Sequence, residues 1–239
     1  MRNSVNLFCI PYAGGNASAY RCFMEHLDSE IVPYFIELAG HGRRMGEKLK
    51  SSVMENAEDI YSQISARLDG TPFILFGHSM GTLLEYEVLK LIQERKGMAP
   101  IHAFFSGRYT PDVFTWEEHY KLPEDHFLAM LRLYGGTPDE FYSSPELIQI
   151  FLPIIRNDYQ VVETYNFGKK KVFDADFTVM AGREDCIVSG EQLEEWKTYT
   201  TGRCDVHMFN GDHFYLFKEP RSVCELINNV AHEWLDRRM

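Results

Sequence analysis

Apolar positions recur along the chain in short blocks that alternate between two periods. Val5 to Ile10 is an apolar run that stops at Pro11, and Ile31 to Leu38 is a second that stops at Ala39-Gly40; both read as strands ending in loops. Between them Ala17 to Leu27 fits a short helix. Val53 to Leu68, apolar at 53, 57, 60, 64 and 68, fits an amphipathic one. Phe73 to Phe76 then reads as a buried strand and Thr82 to Ile92 as the helix after it. Ile101 to Phe105, Phe177 to Met180 and Cys204 to Met208 are further strand candidates. Ser222 to Leu235 reads as a last helix, with Pro220 just before it. Strands alternating with helical stretches predict an α/β fold, a mostly parallel central sheet with helices on both faces.

From about Thr110 to Lys171 the alternation stops. A helix begins at "LPEDHF", with Pro123 at an early position, and ends at Gly135-Gly136; a second runs from Pro145 to about Tyr165, and no strand candidate falls between them. This stretch is expected to be a helical insertion, residues 110–171, lying over the carboxyl edge of the sheet within a single domain spanning 1–239. Its aromatic and aliphatic residues, such as Phe127, Met130, Leu131 and Tyr134, fit packing between the helices and the sheet; contact with an acyl chain is the other reading.

Composition narrows the classes. The 239 residues are 45% hydrophobic, enough for one substantial core. A formal charge of −11 argues against nucleic acid as a partner, because phosphate binding needs a basic face and the basic runs are only Arg43-Arg44, Lys169 to Lys171 and Arg237-Arg238. No stretch of about eighteen apolar residues and no signal-peptide pattern is present, so the expectation is a soluble cytoplasmic protein with no membrane partner. Five widely spaced cysteines with no C-x-x-C pair suggest reduced thiols, neither a disulfide framework nor a zinc site, and no metal is expected.

The chemistry centres on "FGHSMG", residues 76 to 81. A G-x-S-x-G arises by chance in roughly one chain in fifteen at ordinary residue frequencies, but here a strand precedes it, a helix follows, and glycines flank the serine where a sharp strand-to-helix turn leaves no room for side chains. That context makes Ser79 a candidate nucleophile. A serine hydroxyl is weak unless a base takes its proton and a third group orients that base, with the acid and then the histidine expected later in the chain. Asp185 in "MAGREDCIV" and His213 in "FNGDHFYLF" each directly follow a strand candidate and fill those places. Of the other eight histidines, His78 is fixed beside Ser79 with its side chain expected to point elsewhere, and His41 in "AGHGRR" precedes the nucleophile and reads as a loop residue. Asp174, Asp176 and Asp205 fall before or within strands, and Asp212 is too close to His213 to orient its ring. For the oxyanion, one backbone N–H should come from Met80, the residue after the nucleophile. A second should come from Ala13 in "PYAGGNAS", with Gly14-Gly15 permitting the turn.

These residues together resemble the type II (editing) thioesterases that accompany non-ribosomal peptide and polyketide synthases, within the α/β-hydrolase fold. The resemblance runs over nearly the whole chain: "IPYAGGNASAY", "GHSMG", "FFSGRYTP", "LRLYGGTPDE", "LPIIRNDYQVVETY", "GREDCIV" and "GDHFYLF" are similar to successive segments of that family. "ELAGHGRR" departs from it, since the family more often has a proline before the glycine and an arginine after it. The resemblance implies a substrate of acyl or aminoacyl groups on the phosphopantetheine arm of a carrier protein, no cofactor, and removal of misloaded or stalled groups; a monomer is expected. Carrier proteins of this kind are usually acidic, so docking to an acidic chain must be local. Lys169, Lys170 and Lys171 are a candidate contact, a solvated charge run being the alternative. A carboxylesterase or lipase acting on free esters shares every triad feature, and a non-catalytic hydrolase-fold ligand-binding protein is a third reading.

Overall fold

The computed structural model describes residues 4–113 and 117–237. Residues 114–116 of the expected insertion and Arg238 of the C-terminal basic run lie outside them. Six strands form one sheet in the order β2-β1-β3-β4-β5-β6: β1 (Val5–Ile10), β2 (Ile31–Phe35), β3 (Phe73–His78), β4 (His102–Ser106), β5 (Phe177–Gly182) and β6 (Cys204–Phe209). Every pairing is parallel. The helices are α1 (Val53–Ile64), α2 (Met80–Lys96), α3 (Glu124–Tyr134), α4 (Asp139–Ser143), α5 (Pro145–Glu163), α6 (Gly190–Glu194), α7 (Tyr215–Lys218) and α8 (Pro220–Asp236).

Side chains alternate across each strand, and the two faces build separate cores. Phe8, Leu75, Phe105 and Val179 pack under α1 and α2 on one face; Leu7, Ile74, Phe76 and Met180 pack under α8 on the other. Phe105 stacks on Trp196, in the turn of 3-10 helix that follows α6, with ring centroids 4.1 Å apart, and both belong to the first core. Because both faces are covered, the strands read as near-continuous apolar runs. A third cluster, Phe127, Met130, Leu131, Phe141, Leu152 and Ile155, joins α3, α4 and α5, the helical segment between β4 and β5. The segment from Ala17 to Glu25 is a 3-10 helix capped by Asn16, tighter than the α-helix its composition suggests.

The order of the strands places the chemistry. The chain crosses from β1 to β2 on one side and from β3 to β4 on the other, so the loops after β1 and β3 diverge around a crevice at their carboxyl ends.

Candidate active site

The turn after β3 holds Ser79 at φ 55°, ψ −113°, and among the described residues it is the only non-glycine with positive φ. Such a conformation costs of the order of 1–3 kcal/mol and persists only when the surroundings dictate it. They do so here: Ser79 N–H donates to the Ser106 carbonyl at 2.8 Å, and the Thr82 hydroxyl lies 2.9 Å from the Gly77 carbonyl and 2.8 Å from that of Ser106. A Cβ at Gly81 would sit 2.3 Å from the Ile10 carbonyl oxygen, so only glycine lets α2 approach β1 this closely. The hydroxyl is thereby presented at the amino end of α2. Met80 opens that helix, so its N–H has no carbonyl one turn back within it.

Asp185 and His213 come from the loops after β5 and β6, strands that pair from Phe177↔Cys204 to Gly182↔Phe209. Glu184 N–H donates to the Gly211 carbonyl at 3.0 Å, tying the two loops together. Asp185 Oδ2 accepts from His213 Nδ1 at 2.7 Å, while Oδ1 accepts from the Ile187 and Val188 N–H groups at 2.8 and 3.3 Å. Both side chains are almost fully enclosed, 3% exposed for His213 and 0% for Asp185. With its Nδ1 proton committed to the carboxylate, His213 keeps Nε2 as the basic nitrogen.

Ser79, His213 and Ala13 line one pocket of about 40 Å³, roofed by Leu131, Gly136 and Ile155 of the helical segment. The Ser79 hydroxyl and the His213 ring are not hydrogen-bonded to each other; such contacts commonly tighten only when substrate is bound. A cleft of about 710 Å³ along the β2 edge between Tyr34 and Arg67 contains none of these three residues. Among the described residues no group of three or more His, Cys, Asp or Glu side chains could hold a metal ion. No helix among them is long and apolar enough to cross a membrane.

Several competing residues are accounted for. Asp212 faces away from the His213 ring: its carboxylate takes the Lys218 ammonium at 2.6 Å and the Phe214 N–H at 3.0 Å. His102 is buried on Thr178. His78 does not point elsewhere. Its ring packs against that of His213, centroids 4.8 Å apart, because β4 stops at Ser106 and the space above Gly107 admits both rings. His78 Nδ1 is 2.9 Å from Ser106 Oγ, which is 2.8 Å from the Tyr215 hydroxyl. Burial, with the His213 ring beside it, holds the His78 pKa well below the ordinary histidine value, so this ring is neutral and serves as packing for the base.

His41 is also more than a loop residue. It is 4% exposed, with Nδ1 3.0 Å from the Ala39 carbonyl and Nε2 2.8 Å from Asp158 Oδ2 on α5. Burial disfavours its charged form, but Asp158, the Ala39 carbonyl and Glu37 together outweigh that, so His41 titrates above the ordinary histidine range. Lys170 turns back onto its own chain, over the Tyr199 ring at 4.0 Å and 2.5 Å from the Thr198 hydroxyl.

Residues 5–230 match the thioesterase domain family. The chain is 32% identical over 224 residues to the gramicidin S biosynthesis protein GrsT of Aneurinibacillus migulanus, covering 93% of this chain and 87% of that protein. Among solved structures, ClbQ from the colibactin NRPS/PKS pathway superposes with a TM-score of 0.92 at 30% identity, covering 99% of this chain and 100% of that one. The type II thioesterase BorB from the borrelidin biosynthetic cluster gives a TM-score of 0.84 at 26% identity, covering 96% and 92%. The chain belongs to the thioesterase domain family and is a thioester hydrolase on the α/β-hydrolase fold.

Proposed function

We propose that the protein removes acyl or aminoacyl groups from the phosphopantetheine arms of carrier proteins in a non-ribosomal peptide or polyketide synthase, in the cytoplasm. In this reading Ser79 Oγ attacks the thioester carbonyl as His213 Nε2 takes its proton. Asp185 holds the imidazole in the required tautomer and stabilises the imidazolium that forms. The oxyanion forms between the Ala13 and Met80 N–H groups. Collapse breaks the carbon–sulfur bond. The departing thiolate, whose conjugate acid has a pKa of about 8.5, needs less protonation than an amine would, so His213 works chiefly as a base. Having passed the serine proton to the departing sulfur, neutral His213 draws a proton from water, which attacks the Ser79 ester; on collapse that proton goes to Ser79 Oγ and the acid is released. No cofactor enters; the phosphopantetheine belongs to the partner.

The observation that carries the reading is the enclosed Asp185–His213 pair at 2.7 Å, opening on the same pocket as a serine held at positive φ. Residues 110–171 act as a lid on this pocket, contributing Leu131 and Ile155 to its roof. The carrier-protein substrate is favoured by the relatives, whose names place them in peptide and polyketide pathways. A free-ester hydrolase would use the same residues, so the substrate decides between the two. Hydrolysis of an acyl group loaded on a carrier protein should proceed with a higher kcat/KM than that of a soluble ester of equal acyl length. A preference for the soluble ester would establish the esterase reading instead.

A further inference from the structure

Asp158 and His41 lie outside the triad, yet both are buried beside it. Asp158, 1% exposed on the lid helix α5, uses one oxygen twice: Oδ2 accepts the Gly14 N–H at 2.7 Å and His41 Nε2–H at 2.8 Å. One turn earlier on α5, Ile155 fills the space at Gly14, where a Cβ would lie 2.8 Å from its Cγ1; Gly14 has φ +75°, open to glycine at little cost. The turn is closed from the other side by Gly15 N–H donating to the Tyr12 carbonyl at 2.9 Å.

Two peptide planes meet at Ala13. The plane joining residues 12 and 13 carries the Tyr12 carbonyl and the Ala13 N–H, and the Gly15 contact pins it. The plane joining residues 13 and 14 carries the Gly14 N–H, and Asp158 pins that one. With both planes held, φ and ψ of Ala13 are fixed, and so is the direction of its N–H. A carboxylate this close to a developing oxyanion would oppose the chemistry if left uncompensated. The two nitrogens of His41 face two acceptors, the Ala39 carbonyl and Asp158, so the ring donates through both and carries the compensating positive charge. Glu37 is a further charged group acting on this ring; it takes the Ala17 and Arg43 N–H groups, and its Oε2 is 3.8 Å from Arg43 Nε.

We propose that Asp158 is a positioning residue for the oxyanion hole: seated by α5 and neutralised by His41, it aims the Ala13 N–H, so the reactive geometry is complete only when the lid helix is in place. The lid therefore does more than cover the pocket; an arm entering past a displaced α5 meets an unassembled oxyanion site until the helix returns. This inference rests on the assignment of Ser79 as nucleophile and Ala13 as donor.

The test uses the full-length enzyme, an acyl-N-acetylcysteamine thioester as substrate, and a trifluoromethyl ketone of the same acyl length, which forms a tetrahedral adduct. Asp158→Ala is expected to lower kcat about 30-fold with KM little changed, less than the 10²–10³ that deleting a donor outright costs, and to weaken the ketone in parallel. Asp158→Asn, which keeps an acceptor oxygen without the charge, should recover most of the loss. His41→Ala should lower kcat by roughly tenfold, and adding Asp158→Asn to it should restore activity, a rescue that a purely structural role does not give. Should Asp158→Ala fail to fold, the His41→Ala pair carries the test. If Asp158→Ala or His41→Ala changes melting temperature but leaves kcat and ketone affinity within twofold of wild type, the inference is wrong. Turnover by Ser79→Ala close to the wild-type rate in the same assay would instead overturn the nucleophile assignment beneath it.

Discussion

Ser79→Ala should reduce kcat for thioester hydrolysis by roughly 10⁵- to 10⁶-fold while leaving the fold intact. The size of the effect follows from what the residue does: without the hydroxyl no acyl-enzyme forms, and the remaining donors and binding contacts give only the residual rate such sites retain. His213→Ala should cost nearly as much alone, and the double variant little more than either, since the two groups act as one unit. The fold should survive because what holds the turn is backbone and neighbour: the Ser79 N–H on Ser106 and the Thr82 hydroxyl on Gly77 and Ser106. Removing the side chain leaves all of these. Unloading of an acyl-carrier substrate, followed by mass, reads the result directly. Equal unloading by wild type and Ser79→Ala would remove the assignment.

The second large effect concerns the orientation of the base. Asp185→Asn should lower kcat by on the order of 10⁴-fold with KM nearly unchanged. The geometry specifies why. Oδ1 of residue 185 accepts two backbone N–H groups, from Ile187 and Val188, so an asparagine there must keep its carbonyl toward them. Its amide NH₂ then faces His213 Nδ1, which must accept, and the ring proton moves to Nε2. An imidazole protonated at Nε2 cannot take the serine proton. Asp185→Ala, which frees the ring to choose, should lose no more than Asp185→Asn. Activity of Asp185→Asn within tenfold of wild type would show that the carboxylate does not set the tautomer.

Much of the fold was legible because it rests on local signals. The strand at 73 to 76 and the glycines around Ser79 announce a strand-to-helix turn without any tertiary information, and parallel pairing follows from strands separated by helices. The acid and base were legible for a related reason: each sits just after a strand, and β5 and β6 are neighbours, so Asp185 and His213, 28 positions apart, close into a 2.7 Å contact. Elements without a clean period were not legible. The 3-10 winding of the helix expected at 17–27, the short α4 and α6, and α7 directly after His213 depend on packing more than on pattern.

Pairings that cross the chain were the least visible. His41 and Asp158 are 117 residues apart, one in a loop and one on an amphipathic helix, and each looks unremarkable alone. A clue was present in the departure of "AGHGRR" from the family pattern and in a lone aspartate, Asp158, on the otherwise apolar face of α5. His78 was hidden for a different reason. Its sequence position, adjacent to the nucleophile, says nothing about the His213 ring, which reaches the same space from the far side of the sheet's edge.

The central claim is that Ser79 is the atom to which the acyl group moves. Rapid quenching of wild-type enzyme with an excess of acyl thioester, followed by digestion and peptide mass analysis, tests it most directly. The acyl mass should appear on the peptide containing Ser79, form within one turnover, and vanish as the free acid accumulates. An adduct found on another residue, or turnover with no transient adduct and unimpaired in Ser79→Ala, would contradict it.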